Sequence, residues 1–312
     1  MQYTAWRPSF NACFDSEHLG TRHRQSMADR PLIHDARNGL YIPLAHDKRG
    51  EARVAEHANP TACVLVVGNE VLSGRTQDAN IQFLARRLGE IGIPLREARI
   101  IPDVAETIIT TVNEVRARFD HVFTTGGIGP THDDITSECV AAAFGVPWER
   151  HDEAWERMAS YYGRTAGGIA EFNPARQRMA TMPRGAILID NNISIAPGFS
   201  VGNVHVMAGV PRIMRAMFES LAPRLRGGPP IVSAAVHAPG LPEGKIAGGL
   251  AAIQARFTEI DLGSYPYYRP EGNGVAIVAK GTDKRAVAAA IAEVTMLMSN
   301  LGGQPLQGEP SS

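Results

Sequence analysis

A chain of 312 residues is too long for one small module of about 100–200 residues, so two domains and some surplus are expected. Its 44% hydrophobic and 20% charged content suits a globular core, and a net charge of −1 lacks the surplus cation that nucleic-acid backbones demand. Three scattered cysteines (Cys13, Cys63, Cys139) exclude a disulfide framework or zinc ribbon, and no apolar run is long enough to span a bilayer; the expectation is a soluble cytoplasmic protein with no nucleic-acid or membrane partner.

Residues 1–60 hold five of the ten histidines, eight Lys/Arg against seven Asp/Glu, and no sustained period. They read as a poorly ordered extension, with Leu32-Ile33 and Leu40–Leu44 the only candidate elements. A zinc site from His18, His23, His34 and His46 has irregular spacing, and an arm packed on a neighbouring subunit is the other reading. Regular structure begins with the continuous apolar run Ala62–Val67, the mark of a strand buried on both faces. Ile81, Leu84, Leu88 and Ile91 follow at helical spacing, with Gly92 as a stop. Leu95–Ile101 reads as a strand, Val104–Phe119 as a helix, His121–Thr125 as a strand and Asp134–Phe144 as a helix.

Such alternation predicts an α/β fold: a parallel sheet with right-handed crossovers and helices on both faces, a three-layer domain over residues 61–228. It continues through helices at His151–Thr165 and Pro174–Ala180, strands at Ala186–Ile189 and Val204–Met207, and a helix at Pro211–Leu225. Gly227-Gly228-Pro229-Pro230 is the clearest linker. The β-α-β-β-α order over 229–302 then suggests a smaller, ferredoxin-like α+β domain, and 303–312 reads as a flexible tail.

Ligands of open parallel sheets sit at the carboxyl ends of the strands. Two loops leave strands there: Gly68-Asn69-Glu70-Val71-Leu72-Ser73-Gly74 with Asp78 and Asn80, and Thr124–Thr136, which reads TTGGIGPTHDDIT. Glycines 126, 127 and 129 let backbone N–H groups turn toward one point beside a helix N-terminus, a nest for phosphate. Asp133 and Asp134 would repel a bare phosphate; a divalent cation such as Mg²⁺, with Glu70 or Asp78 adding oxygens, would reconcile them. The plainer readings are a tight Gly-Gly turn, Asp133 or Asp134 as a helix cap, and Asp78 and Asn80 as helix-start residues. Neither loop matches a Walker A or a dinucleotide fingerprint.

Residues 68–74 with Asp78 and Asn80, Ile-Pro-Asp at 101–103 and the 124–136 string resemble the molybdopterin-binding domain of MoaB/MogA-type proteins. Ala-Pro-Gly-Phe at 196–199 and Gly-Val-Pro at 209–211 bring the resemblance nearer to the CinA-like (competence/damage-inducible protein A) branch. The resemblance runs from about Thr61 to Leu225. It implies that Thr125, Gly126, Gly127 and Gly129 hold the ligand's phosphates, that Gly68, Asn80 and Thr131 also bind the ligand, that Asp134 and Asp103 are catalytic, and that Gly198 and Pro211 shape the far wall. Asp133, Asp134, Glu70 and Asp78 are the expected metal ligands. The adenylyltransferases of that family carry Thr and Arg where this chain has Ile128 and Asp133. The residues beyond Gly228 are too few for the amidohydrolase domain of full-length CinA proteins.

Two classes of function follow. One is an enzyme of diphosphate chemistry, either a metal-dependent ADP-ribose pyrophosphatase or a molybdopterin adenylyltransferase. The other is a non-catalytic pterin- or nucleotide-binding module. The resemblance further implies a homo-oligomer, dimer or trimer.

Overall fold

β3 (Ala62–Val67) is buried at every residue, because each face of it meets a different layer of helices. Cys63, Leu65 and Val67 point into one core, while Ala62, Val64 and Val66 point into the other, the period-two alternation of a strand. The computed structural model describes residues 59–270 and 272–310, and the backbone of 32–35 and 40–43. Those two segments are strands, β1 (Leu32–Asp35) and β2 (Leu40–Pro43), paired antiparallel. The rest of the expected extension, including the zinc reading, lies outside the described residues, as does Cys13.

After β3 come a short α1 (Asn69–Leu72), α2 (Asn80–Glu90), β4 (Leu95–Ile101), α3 (Ala105–Arg118), β5 (His121–Thr125) and α4 (Thr136–Phe144). Then follow β6 (Trp148–Arg150), α5 (Asp152–Gly163), α6 (Pro174–Gln177), β7 (Thr181–Pro183), β8 (Ile187–Ile189), β9 (Gly198–Val201), β10 (Val204–Met207) and α7 (Pro211–Leu221). The main sheet has six strands in the order β4-β3-β5-β10-β9-β8. Its first four are parallel, but β9 pairs antiparallel with both β10 and β8, so the sheet is mixed rather than wholly parallel. The cause is local: Gly202 at φ 54° and Asn203 close a two-residue turn between β9 and β10, and so short a link joins only antiparallel neighbours. α3, α4 and α5 cover one face of the sheet, α2 and α7 the other. β6 and β7 make a separate two-stranded ribbon.

The linker at Gly227–Pro230 runs against the turn at Ile91-Gly92. Gly228 N–H donates to Ile91 O (3.2 Å) and Ile231 N–H to Gly89 O (2.9 Å). Beyond it lie β11 (Val232–Pro239), α8 (Glu243–Arg256), β12 (Asp261–Arg269), β13 (Gly272–Gly281), α9 (Lys284–Asn300) and β14 (Leu306–Gln307). These strands form an antiparallel sheet ordered β12-β13-β11-β14 with α8 and α9 on one face, the ferredoxin-like arrangement. β14 comes from the stretch expected to be a flexible tail; it pairs with β11, and Arg269 donates to Pro310 O at 3.2 Å. No helix among the described residues is long and apolar enough to cross a membrane.

The amino-terminal edge of the main sheet holds two stacked imidazoles. His121 Nδ1 lies 3.2 Å from His205 Nε2, and His205 Nδ1 lies 2.9 Å from Ser200 Oγ. Burial pushes both rings below their ordinary value of 6.5, His205 to about 3, so the folded protein keeps them neutral. An unfolded histidine protonates near pH 6.5; the stabilisation is therefore complete above that pH and declines as pH falls toward the folded value. Urea unfolding should report a loss of about 2 kcal/mol between pH 7.5 and 5.0 from His205 alone, and His205→Gln should flatten that slope. Equal pH dependence in the two proteins would contradict it.

Candidate functional site

The strand order changes direction between the parallel neighbours β3 and β5. The connection after β3 leads through α2 to β4 on one side, and the connection after β5 leads through α4 to the opposite face. That reversal opens a crevice outside the carboxyl ends of the two strands, where ligands of such sheets bind. Four strands deliver their loops to this edge: Asp103 after β4, Gly68–Glu70 after β3, Gly126–Gly129 after β5, and Gly209–Pro211 after β10.

The glycines of the second loop are required by close approach. Gly126 has φ +101°, and a Cβ there would overlap the carbonyl oxygen of Val67, while a Cβ on Gly209 would lie 3.3 Å from Gly126 Cα. Gly127 has φ +67°, and its Cα faces the Thr136 hydroxyl. A Cβ on Gly129 would stand 2.6 Å from Asp134 Oδ2. The N–H of Gly126 is spent on Met207 O (3.1 Å), so Gly126 supplies no amide to a phosphate. Among the described residues the N–H groups of Gly127, Ile128, Gly129, Ser137 and Glu138 find no acceptor, which leaves five donors around the start of α4.

Buried polar groups seldom lack a partner. Among the described residues six such side-chain atoms do: the hydroxyls of Thr124, Thr125 and Thr136, Asn80 Oδ1, Arg178 Nε and the Tyr267 hydroxyl. The first five belong to this one edge, and only Tyr267 lies in the small domain. Thr125 and Thr136 are fully enclosed, 1% and 0% exposed. Asn80 is 3% exposed; its amide donates to Gly209 O at 2.8 Å, and its oxygen is left over.

The acids are placed differently from the expectation. Asp78 Oδ1 accepts from the N–H groups of Asn80 (3.1 Å) and Ile81 (2.8 Å), so it caps α2. Asp103 Oδ2 accepts from Asn69 N–H at 2.8 Å and steadies α1, and the Glu70 carboxylate folds back beside Gly68, where a Cβ would meet it at 2.6 Å. Asp134 Oδ2 accepts from the N–H (2.8 Å) and the hydroxyl of Thr131, and that hydroxyl also lies 2.6 Å from Asp133 Oδ1. One hydroxyl proton serves one carboxylate at a time; the bond to Thr131 holds exposed Asp133 below the usual carboxylate range. Among the described residues no three His, Cys, Asp or Glu side chains stand close enough to hold a metal ion. The four expected metal ligands are therefore not gathered. Glu70 and Asp78 lie on the connection leading from β3 to α2, and Asp133 and Asp134 on that leading from β5 to α4.

Gly198 and Pro211 serve packing and helix initiation. Gly198 is buried with Met217 Sδ 3.2 Å from its Cβ position, and Pro211 occupies the first turn of α7. Sequence reasoning missed the wall next to the glycine loop. A narrow crevice of about 10 Å³, room for one water molecule, runs between Gly129, Asp134, Trp148, Arg178 and Pro197. Trp148 lines it while its Nε1 donates to Ser137 Oγ and Thr181 O, both at 3.0 Å. No local motif marks Trp148 or Arg178, which reach the site from β6 and from the 3₁₀ turn Arg178–Ala180.

A family profile described as probable molybdopterin binding domain matches residues 63–227, and one described as FAD synthase, middle domain, matches 233–302. A protein of Pyrobaculum calidifontis is 34% identical over 215 residues, 66% of this chain and 81% of that one. A CinA-like protein of Anaeromyxobacter sp. (strain K) is 37% identical over 160 residues, 50% of this chain and 38% of that protein, so the chain spans well under half of that relative. Among solved structures, the protein CinA with unknown function from Thermoplasma acidophilum has 30% identity and a TM-score of 0.49, over 54% of this chain and 99% of that one.

An orphaned buried hydroxyl costs about 1–3 kcal/mol. Thr125→Val, which keeps the β-branched shape, should raise the unfolding free energy of the ligand-free protein by up to about 1 kcal/mol, read by urea denaturation. Clear destabilisation would mean that the hydroxyl has a partner in the folded protein.

Proposed function

The chain belongs to the family of probable molybdopterin-binding domains, and from that premise we propose that it binds a nucleotide diphosphate at the β3/β5 crevice and hydrolyses it. ADP-ribose is the substrate proposed. The observation that carries the reading is the set of orphaned donors at one sheet edge: the Thr125 and Thr136 hydroxyls and the N–H groups of Gly127, Ile128 and Gly129. Phosphate oxygens supply the acceptors these groups lack, next to the positive end of α4. Asn80 Oδ1 is an acceptor and fits a hydroxyl or N–H of the ligand's organic part.

In this reading water attacks one phosphorus of ADP-ribose, the P–O bond to the other phosphate breaks, and AMP and ribose 5-phosphate leave. Asp103, whose Oδ2 is anchored by Asn69 N–H, keeps its second oxygen to orient the water and take its proton. The amides of the glycine loop stabilise the charge that grows on the phosphoryl oxygens. Asp134 and Asp133 would hold a divalent cation accompanying the diphosphate, as one or two carboxylates usually do for Mg²⁺. When bound it neutralises phosphate charge.

The absence of a gathered acid cluster among the described residues favours a second reading, a non-catalytic binder of a nucleotide or pterin. Incubation with ADP-ribose and a panel of divalent metals separates the two. The hydrolase should release AMP, and Asp134→Asn should lower kcat by about 100-fold or more. If AMP never appears and calorimetry reports binding, the protein is a binder; if neither occurs, the crevice is not a diphosphate site.

A further inference from the structure

We infer that Arg178 is a ligand-contacting residue, placed to donate to a phosphate oxygen seated against Gly127–Gly129. The inference deepens the diphosphate reading and rests on it. Arg178 is the sole cation among the residues lining the crevice beside Gly129 and Asp134. It comes from the turn after α6, 44 residues along the chain from Asp134.

Its surroundings hold it without neutralising it. The guanidinium carbon lies 5.2 Å from the centre of the Trp148 ring. Nη2 reaches Asp134 O at 3.5 Å, the outer limit of a hydrogen bond, and Nε is buried without a partner. The neighbouring arginines behave otherwise. Arg150 pairs with Asp152, Arg157 with Asp190, Arg176 with Glu171 and Arg184 with Glu149. None of the ion pairs among the described residues includes Arg178.

The adjacent Asp134 carboxylate forms no ion pair with it; Oδ2 of that group is turned to Thr131. A half-buried guanidinium kept planar on an indole, with an unfilled N–H, is preorganised for an external anion. Phosphate matches the fork with two parallel hydrogen bonds. It also resolves a charge problem. Asp133 and Asp134 repel a diphosphate, and Arg178, which lines the same crevice as Asp134, supplies compensating charge.

The test uses the full chain, with inorganic pyrophosphate and ADP-ribose as calorimetric probes. Arg178→Met keeps the aliphatic stem over Trp148 and removes the charge; it should weaken both probes by about 10-fold or more with the unfolding midpoint unchanged. Arg178→Lys should fall between the two, because it keeps the charge and loses the fork. Free guanidinium at millimolar concentration should restore part of the affinity of Arg178→Ala, which a packing role would not allow. Wild-type affinity in Arg178→Met overturns the assignment and leaves the diphosphate reading standing. So does a loss that tracks thermal destabilisation and resists guanidinium. A wild-type protein that binds neither probe overturns the diphosphate reading and this assignment with it.

Discussion

Gly126 has no room for a side chain, and the edge of the sheet is organised around that fact. Its Cα fits between the carbonyl of Val67 at the end of β3 and Gly209 beyond β10. A Cβ on Gly126 would force the ends of β3 and β5 apart. With the strands drawn together, the chain turns at Gly127 and meets Thr136, whose N–H donates to Gly127 O at 2.9 Å and so fixes where α4 begins. The position of the helix dipole, the open amides and the Thr125 hydroxyl all follow from one close approach.

Much of the fold could be read from hydrophobic patterning. β3, β4, β5 and β10 occupy the residues their patterns mark: β3, β5 and β10 are enclosed on both faces, and the edge strand β4 alternates between half-buried and exposed residues. The antiparallel β9 was harder: it is four residues long and follows Pro197, so it reads as part of a motif rather than a strand. β6 and β7 are three residues each and owe their form to each other. The tail resisted for a different reason. Gly, Pro and Gln carry no strand signal, and β14 exists because β11 offers it a free edge.

The site was legible where chemistry and backbone coincide and illegible where they part. The glycine loop announces itself by spacing. The four carboxylates at 70, 78, 133 and 134 looked like one cluster because both loops leave the same sheet edge. In three dimensions they form no cluster among the described residues, and Asp78 is spent on capping a helix. Arg178 is one of 27 arginines, and its meaning depends on Trp148 and on having no carboxylate, neither of which a single sequence displays. Unsatisfied hydrogen-bonding capacity proved a better guide than the titratable residues: five of the six orphaned atoms gather at one place.

The small sheet carries a practical consequence. Residues 306–307 sheathe the outer side of β11, and the chain then passes on to Arg269. A protein engineer trimming what looks like dispensable low-complexity sequence would strip that sheath and bare a row of unpaired main-chain amides and carbonyls. Such a row templates the next chain that arrives, so the shortened protein would be prone to stick to itself.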